Sequence, residues 1–263
     1  MFGIGPRINA AGRLGHAGDA VRLLISNDND QLNELATFLN KQNADRQEFD
    51  NSITLEAASM LEASEQFASQ MSTVVYKEDW HKGVIGIVAS RLVEKFYKPT
   101  VVLTSSNGKI IGSARSVEGF DLYAAIDACA PVLEQFGGHA HAAGLTLTFE
   151  NLDNFRQAFE EAVSKRITEE MLQPCIKVDL ELPLSQISYS LFKTIQFMSP
   201  FGPGNMQPVF MAKGVYDNGN GRLLAGKKGN YETVKLFLTH PDCVHNGQPY
   251  AVEAIGFGLG ETF

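Results

Sequence analysis

Phe136-Gly137-Gly138-His139-Ala140-His141-Ala142-Ala143-Gly144 sets two adjacent glycines and two histidines in a run of small residues. A helix-like segment precedes it, Leu122 to Leu133. An alternating segment follows, Leu145-Thr146-Leu147-Thr148-Phe149, with the period of a strand. Two consecutive glycines remove two Cβ atoms where the chain is expected to turn. Backbone N–H groups can then approach an anion closely, and His139 adds a directed donor. Glycine plus donor is what a phosphate site needs. An isolated Gly-Gly-His is also the mark of a packed turn beside a satisfied histidine, so the rest of the chain has to decide. His139 and His141 stand two apart, are expected on opposite faces of a strand, and have no cysteine or second carboxylate nearby. That argues against a metal site there.

The chain has 263 residues, enough for one large domain or two smaller ones, and 44% of them are apolar, as in an ordinary globular protein. No apolar run approaches the ~20 residues of a membrane span. The opening Met1-Phe2-Gly3-Ile4-Gly5-Pro6-Arg7 lacks the basic-then-apolar pattern of a signal peptide. Cys129, Cys175 and Cys243 are far apart and odd in number, which reads as reduced cytoplasmic thiols. The formal charge of −8 counts against indiscriminate nucleic-acid binding. A binding face is local, however. Lys77, Lys82, Arg91, Lys95, Lys98, Lys109 and Arg115 outnumber Glu78, Asp79, Glu94 and Glu118 in the segment 77–118, whereas 150–181 is acid-rich.

Working outward, a short helix is expected from Asp19 to Ile25, and Asp28 or Asn29 then caps a very long one beginning near Asp30. No Pro or Gly interrupts residues 31 to 73. A helix of ~35–40 residues would be ~55 Å long. Its polar middle around Gln42–Arg46 predicts a connector between two bodies, partly exposed in its first half. Thr73 to Tyr76 reads as a strand and Trp80-His81-Lys82-Gly83 as a turn. Val84 to Phe96 reads as an amphipathic helix ended by Pro99. Thr100 to Thr104 and Lys109 to Ser113 read as strands, and Leu152 to Met171 as a helix. Strands and helices in this alternation imply an α/β domain over about 72–170. Beyond Pro174 the pattern changes. Ile176 to Leu182 alternates and Ser188 to Phe197 is helical. Val209 to Tyr216, Glu232 to Leu238 and Tyr250 to Gly256 read as strands joined by turns such as Asp217-Asn218-Gly219-Asn220-Gly221. This spacing predicts a small β-barrel, which the end of the chain just after a strand can leave incomplete.

Three further motifs point to anions. Gly112-Ser113-Ala114-Arg115-Ser116 ends a strand with two hydroxyls and a guanidinium, which can grip one phosphate. An exposed hairpin tip fits that string as well. Trp80-His81-Lys82-Gly83-Val84-Ile85-Gly86 puts a glycine near a helix N-terminus, where free N–H groups favour anions, although a tight packing turn has the same signature. Gly5-Pro6-Arg7-Ile8-Asn9-Ala10-Ala11-Gly12-Arg13-Leu14 opens the chain with glycines and arginines.

Taken in this order, and with the turn Pro200-Phe201-Gly202-Pro203-Gly204-Asn205, these motifs resemble the DHH phosphoesterase superfamily. Within it they resemble the RecJ family of single-strand-specific DNA exonucleases. The resemblance covers nearly the whole chain. The Gly-Gly-His-x-x-Ala-Ala-Gly string occurs across the superfamily, and the opening motif and C-terminal region single out RecJ. The resemblance implies an α/β DHH-associated domain over 71–172, preceded by the tail of a catalytic domain and a connector helix (1–70) and followed by an OB-like β-barrel (173–263). It implies hydrolysis of single-stranded DNA from the 5′ end, in DNA repair and recombination, with two divalent ions, Mg or Mn, held by an Asp-His-His motif and other aspartates. No Asp-His-His is present here, so the chain is expected to be the C-terminal part of a larger enzyme, to hold no metal and to be inactive as a nuclease by itself.

On that resemblance the terminal phosphate falls to Arg115, Ser113, Ser116 and His139, with backbone from Gly112, Gly137 and Gly138. Arg7, Asn9 and Arg13 would line the cleft opposite, and Trp80, His81 and Gly83 would join the site. Lys227, Lys228, Tyr231 and Lys235 would carry the strand over the barrel by charge and stacking. The expected partner is single-stranded DNA, with no membrane. Two other readings stay open. One is a small phosphatase or oligoribonuclease of the same superfamily. The other is a module that binds single strands without cutting them.

Overall fold

A computed structural model describes residues 3–225 and 233–260. The chain forms two compact units, Met1–Pro174 and Cys175–Phe263.

The first unit opens with three helices, α1 (Gly5–Leu14), α2 (Gly18–Ile25) and α3 (Asn29–Glu62). Pro6 sits in the first turn of α1, where its missing N–H costs nothing. Asp28 caps α3 by accepting from the amides of Asp30 (3.0 Å) and Gln31 (3.4 Å). The 34 residues of α3 make one rod about 50 Å long, at ~1.5 Å per residue. Its polar middle is not the exposed stretch its composition predicts. Gln42, Asn43 and Asp50 are buried. Leu39 packs with Ala11 and Ala20, bringing α1 and α2 onto this part of the rod. The side chain of Gln42 fills the space that Gly15 leaves empty. Asp50 accepts from the Arg91 guanidinium (2.6 Å), with Arg46 at 3.7 Å. Burial pushes the Asp50 carboxyl up from its ordinary value, and Arg91, Arg46 and Arg13 pull the other way.

The remainder of this unit is a five-stranded sheet of β1 (Thr73–Tyr76), β2 (Thr100–Ser106), β3 (Lys109–Arg115), β4 (Gln135–His139) and β5 (Ala142–Leu147), in the order β1-β2-β3-β5-β4. β1 and β2 are parallel and joined through α4 (Ile85–Phe96); every other pair is antiparallel. Residue alternation gives the sheet two apolar faces. On one, Val101, Leu103, Ile110, Ala114, Leu145 and Leu147 pack under α5 (Leu122–Asp127) and α6 (Leu152–Ser164). On the other, Val75 and Val102 pack under α4, which α3 backs through Ile53, Ala57 and Leu61.

Two boundaries differ from the sequence reading. The helix from Leu122 stops at Asp127 and a 3-10 turn carrying Pro131 follows, since proline cannot donate into the ladder. Gly137-Gly138-His139 therefore lies in a strand and not in a turn. The helix from Leu152 likewise stops at Ser164 and leaves a short 3-10 turn at Glu170–Leu172.

The second unit contains β6 (Leu180–Glu181), α7 (Tyr189–Phe197), β7 (Phe210–Met211), β8 (Tyr216–Asp217), β9 (Arg222–Leu224), β10 (Thr233–Thr239), β11 (Val244–His245), β12 (Gln248–Pro249) and β13 (Val252–Phe257). β10 pairs antiparallel with β13, β8 and β9. Asp217 organises the Gly/Asn turn: its carboxylate accepts from Gly219 (2.8 Å), Gly221 (2.9 Å) and Phe237 (2.7 Å), which holds it below the usual carboxylate range. The ladders β6–β7 and β11–β12 are two residues long, and among the described residues the strands do not close into a barrel. Ladders that short pin single contacts and cannot run round a cylinder. No described helix is long and apolar enough to cross a membrane.

Trp80, the only tryptophan, is buried and donates its indole N–H to Glu56 (2.8 Å), which also pairs with Lys77 (2.6 Å). The bond from Lys77 and then that from Trp80 lower the Glu56 pKa. A carboxyl with a depressed folded-state pKa contributes stability above its unfolded pKa, and loses it as pH falls through the folded value. Trp80 fluorescence should therefore hold from neutral pH down to the ordinary glutamate range, then change below it. Glu56→Gln should remove that step.

Candidate functional site

Four glycines and three cations build a groove in the first unit. It encloses about 440 Å³ and is lined by Gly12, Arg13, Lys82, Gly83, Ile85, Gly86, Ile111, Gly112, Ser113 and Arg115. Three elements make it. α1 ends at its rim and supplies Arg13; the turn before α4 supplies Lys82 and Gly83; the end of β3 supplies Ser113 and Arg115.

The approach of α1 depends on Gly83. A Cβ there would fall on the carbonyl of Arg13, and Arg13 Nη1 donates back to the carbonyl of Gly83 (3.2 Å). Gly86 leaves room in the same way, since its Cβ would stand 2.9 Å from both Arg115 Nη2 and Ser113 Oγ. Arg115 Nη1 donates to Ser113 Oγ (3.0 Å) and to the Ala114 carbonyl (2.7 Å), which fixes the guanidinium plane. Burial first, then the charge of Arg13, lowers the Arg115 pKa. Two like charges face one half-dry groove with no carboxylate in its lining, so an anion bound between them relieves both terms.

The groove continues onto bare sheet. Cross-strand pairing sets Arg115 opposite Ala142, and Ala142 opposite His139; the next row runs Ser113, Gly144, Gly137. Paired residues share a face, so Ser113, Arg115, Gly144, Gly137 and His139 look out on the side where α4 sits. That helix covers β1 to β3 only, and Gly137, Gly144 and His139 are exposed. His139 Nδ1 accepts from the His141 amide (3.2 Å), so in the neutral ring the proton is on Nε2, which becomes a donor toward the open face. Arg115 and His139 stand two strands apart, roughly 10 Å at ~4.8 Å per strand. That suits two neighbouring anionic groups better than a single one.

Several expected site residues lie elsewhere. Ser116 donates to the Phe120 carbonyl (2.8 Å) and closes a turn. Trp80 belongs to the core. Gly112 lines the groove by its backbone, while its missing Cβ makes room on the opposite face, where one would stand 2.5 Å from Leu103 Cδ2. Gly138 is exposed with φ +154°, and a Cβ on it would meet the Ala142 carbonyl of the neighbouring strand. Arg7 donates to Asn40 and to the Gly3 carbonyl, binding α1 to α3, and Asn9 is exposed on α1 outside the groove lining. His81 Nδ1 accepts from the Gly83 amide (3.1 Å) and shapes the turn. The two histidines expected on opposite faces lie together, ring centroids 5.9 Å apart, because the chain leaves the strand after His139.

In the second unit Lys235 pairs with Glu253 (2.7 Å) and lies over Phe237. Lys227, Lys228 and Tyr231 fall outside the described residues. Sequence reading missed Gly86, Lys82 and Gly144. Their signals were a second glycine in the first turn of α4, a lysine inside the turn motif, and the last glycine of the quoted string. Among the described residues no three His, Cys, Asp or Glu side chains converge to hold a metal. Cys129 is buried, and burial pushes its thiol up to about 11, which leaves it unreactive.

The fold and groove belong to a chain of the DHHA1 class: residues 67–165 match the DHHA1 domain, and residues 178–263 match the RecJ OB domain. Over 245 residues, 92% of this chain, the sequence is 36% identical to the single-stranded-DNA-specific exonuclease RecJ of Bacillus subtilis, of which it spans 31%. The crystal structure of RecJ from Thermus thermophilus in complex with Mg2+ superposes with a TM-score of 0.73 at 24% identity, covering 97% of this chain and 42% of that one. The Mn2+ complex of the same protein gives 0.71 at 25%, covering 97% and 41%. The chain belongs to the RecJ family.

The two groups of glycines should separate on substitution. Gly83→Ala should lower the melting temperature, because the Arg13 backbone has to move. Gly137→Ala, with open space at its Cβ position, should leave the melting temperature unchanged and weaken binding of a single strand. Thermal denaturation and fluorescence anisotropy measure the pair.

Proposed function

We propose that this chain is the strand-holding part of a 5′-to-3′ single-stranded-DNA exonuclease acting in DNA repair and recombination in the cytoplasm. Residues 1–70 form the tail of the catalytic domain and the connector helix, 71–172 the DHH-associated domain, and 173–263 the OB-like domain. The observation that carries this reading is the groove where Arg13, Lys82 and Arg115 meet without a carboxylate in the lining, opening onto a glycine-floored strand surface.

Each residue has a part. Arg115 and Ser113 hold the 5′-terminal phosphate from the sheet, Arg13 and Lys82 hold it from the opposite rim, and His139 Nε2 donates to the following phosphate. Gly137 and Gly144 let the backbone of the strand lie close to the sheet. The chain spans about a third of the B. subtilis relative, and the T. thermophilus RecJ structures contain Mg2+ or Mn2+. In the complete enzyme divalent ions of this kind would activate the attacking water. Their ligands lie outside the residues described here, and the 263-residue chain binds strands without cutting them. The OB match supports sequence-independent contact with single strands further along, by charge and stacking.

A charged contact to phosphate contributes about 1.5–3 kcal/mol, so Arg115→Ala should weaken binding of a 5′-phosphorylated strand by roughly tenfold or more. The loss should be much smaller for the same strand with a 5′-hydroxyl. Equal losses on both strands would show a general backbone contact and overturn end recognition.

A further inference from the structure

A second groove lies on the other side of the Trp80–Gly83 turn. It encloses about 600 Å³ and is lined by Phe49, Ser52, Ile53 and Glu56 of α3, by Glu78 to Lys82 of the turn, and by Ser105. That volume is in the range of small-molecule sites. Lys82 lines both grooves, so one turn of chain is all that separates them.

The chemistry of the two grooves is opposite. The first has cations and no carboxylate. The second has Glu56, Glu78 and Asp79, and Lys77 beside it is already committed to Glu56 (2.6 Å) and Asp79 (3.3 Å). A phosphate is repelled there. An aromatic surface is present instead: Phe49 and His81 stack with ring centroids 5.6 Å apart and planes 13° from parallel. Phe49 is 42% exposed, so a ring face is open to the groove beside its stacked partner. The His81 ring is held by the bond its Nδ1 accepts from the Gly83 amide (3.1 Å), so its orientation is locked to the same turn that shapes the phosphate groove. A flat apolar surface with carboxylate and hydroxyl acceptors around it matches a nucleobase, which has a π face and exocyclic amino donors. The carboxylates do not form a cation cage, because no three acidic, histidine or cysteine side chains among the described residues converge.

We propose that this second groove receives the base of the 5′-terminal nucleotide, stacked on Phe49, while its phosphate occupies the first groove. The inference rests on the phosphate reading and deepens it, since the two grooves together would hold one nucleotide across the Trp80–Gly83 turn.

The test is fluorescence anisotropy of the 263-residue chain with 5′-phosphorylated oligodeoxycytidine, compared with the same strand carrying an abasic residue at its first position. Wild-type protein should bind the abasic strand about fivefold or more weakly, as expected for loss of one stacked base. Phe49→Ala should bind both strands alike, at the weaker level. Phe49→Leu, which keeps an apolar side chain on α3, should also lose the discrimination and serves if the alanine variant unfolds. Arg115→Ala should weaken both strands and keep their ratio. Equal wild-type affinity for the two strands, or an unchanged ratio in Phe49→Leu, would overturn the proposal. Dependence on the 5′-phosphate reports on the first groove and the abasic ratio on the second, so the two readings fail separately.

Discussion

A side chain at residue 83 would collide with the carbonyl of Arg13, and much of the first unit depends on its absence. Because Gly83 has no Cβ, the end of α1 settles directly on the turn that opens α4, and the Arg13 guanidinium bonds back to that turn. The contact places a cation from the helical segment at the rim of a groove whose other wall is the sheet. It also fixes where α1 lies along α3, which explains why the polar middle of α3 is buried. Gln42 fills the space beside Gly15, and Asp50 gathers Arg91 and Arg46 beneath. A buried carboxylate with two arginines is costly to break and of modest net benefit. Its value here is geometric, since Arg91 lies on α4 and Asp50 on α3 and the pair sets the two helices in register.

The second constraint is the reach of α4. The sheet has five strands, and one helix covers little more than half of its width on that face. Where the cover ends, the sequence supplies glycine, alanine, serine and histidine in place of branched apolar residues. Gly137 and Gly144 have no neighbour that a Cβ would strike closely, so packing does not explain them. Close approach by something outside the sheet does. Gly112 is the reverse case: its missing Cβ makes room for Leu103 and Leu145 on the core face. Gly138 is exposed and differs again, because its positive φ would set a Cβ against the Ala142 carbonyl of the neighbouring strand.

Much of this was legible in the sequence. The cap at Asp28, the uninterrupted long helix, strands β1 to β3 and α4 follow from turn residues and periodicity, and the Gly-Gly-His and Ser-Ala-Arg motifs do meet on one side of one sheet. What was not legible is pairing. Register decides that Ser113 and Arg115 share a face with Gly137 and His139, while Ser116 closes a turn. No local pattern carries that information, because a shift of one residue exchanges the faces. Trp80, placed in the site by resemblance, is held in the core for a related reason: its N–H goes to Glu56, twenty-four residues earlier, a pairing that no local pattern carries. Residues 178–263 do match the RecJ OB domain, and among the described residues the barrel is not closed because alternation persists in segments too short to pair along their length, as at Leu180–Glu181.

If Arg13 and Arg115, one from each wall, hold a single phosphate, a crystal structure of the chain with a 5′-phosphorylated trinucleotide should show it. The terminal phosphate should lie between the two guanidinium groups, within hydrogen-bond distance of Ser113 Oγ. A strand bound with its terminal phosphate away from both arginines would contradict it.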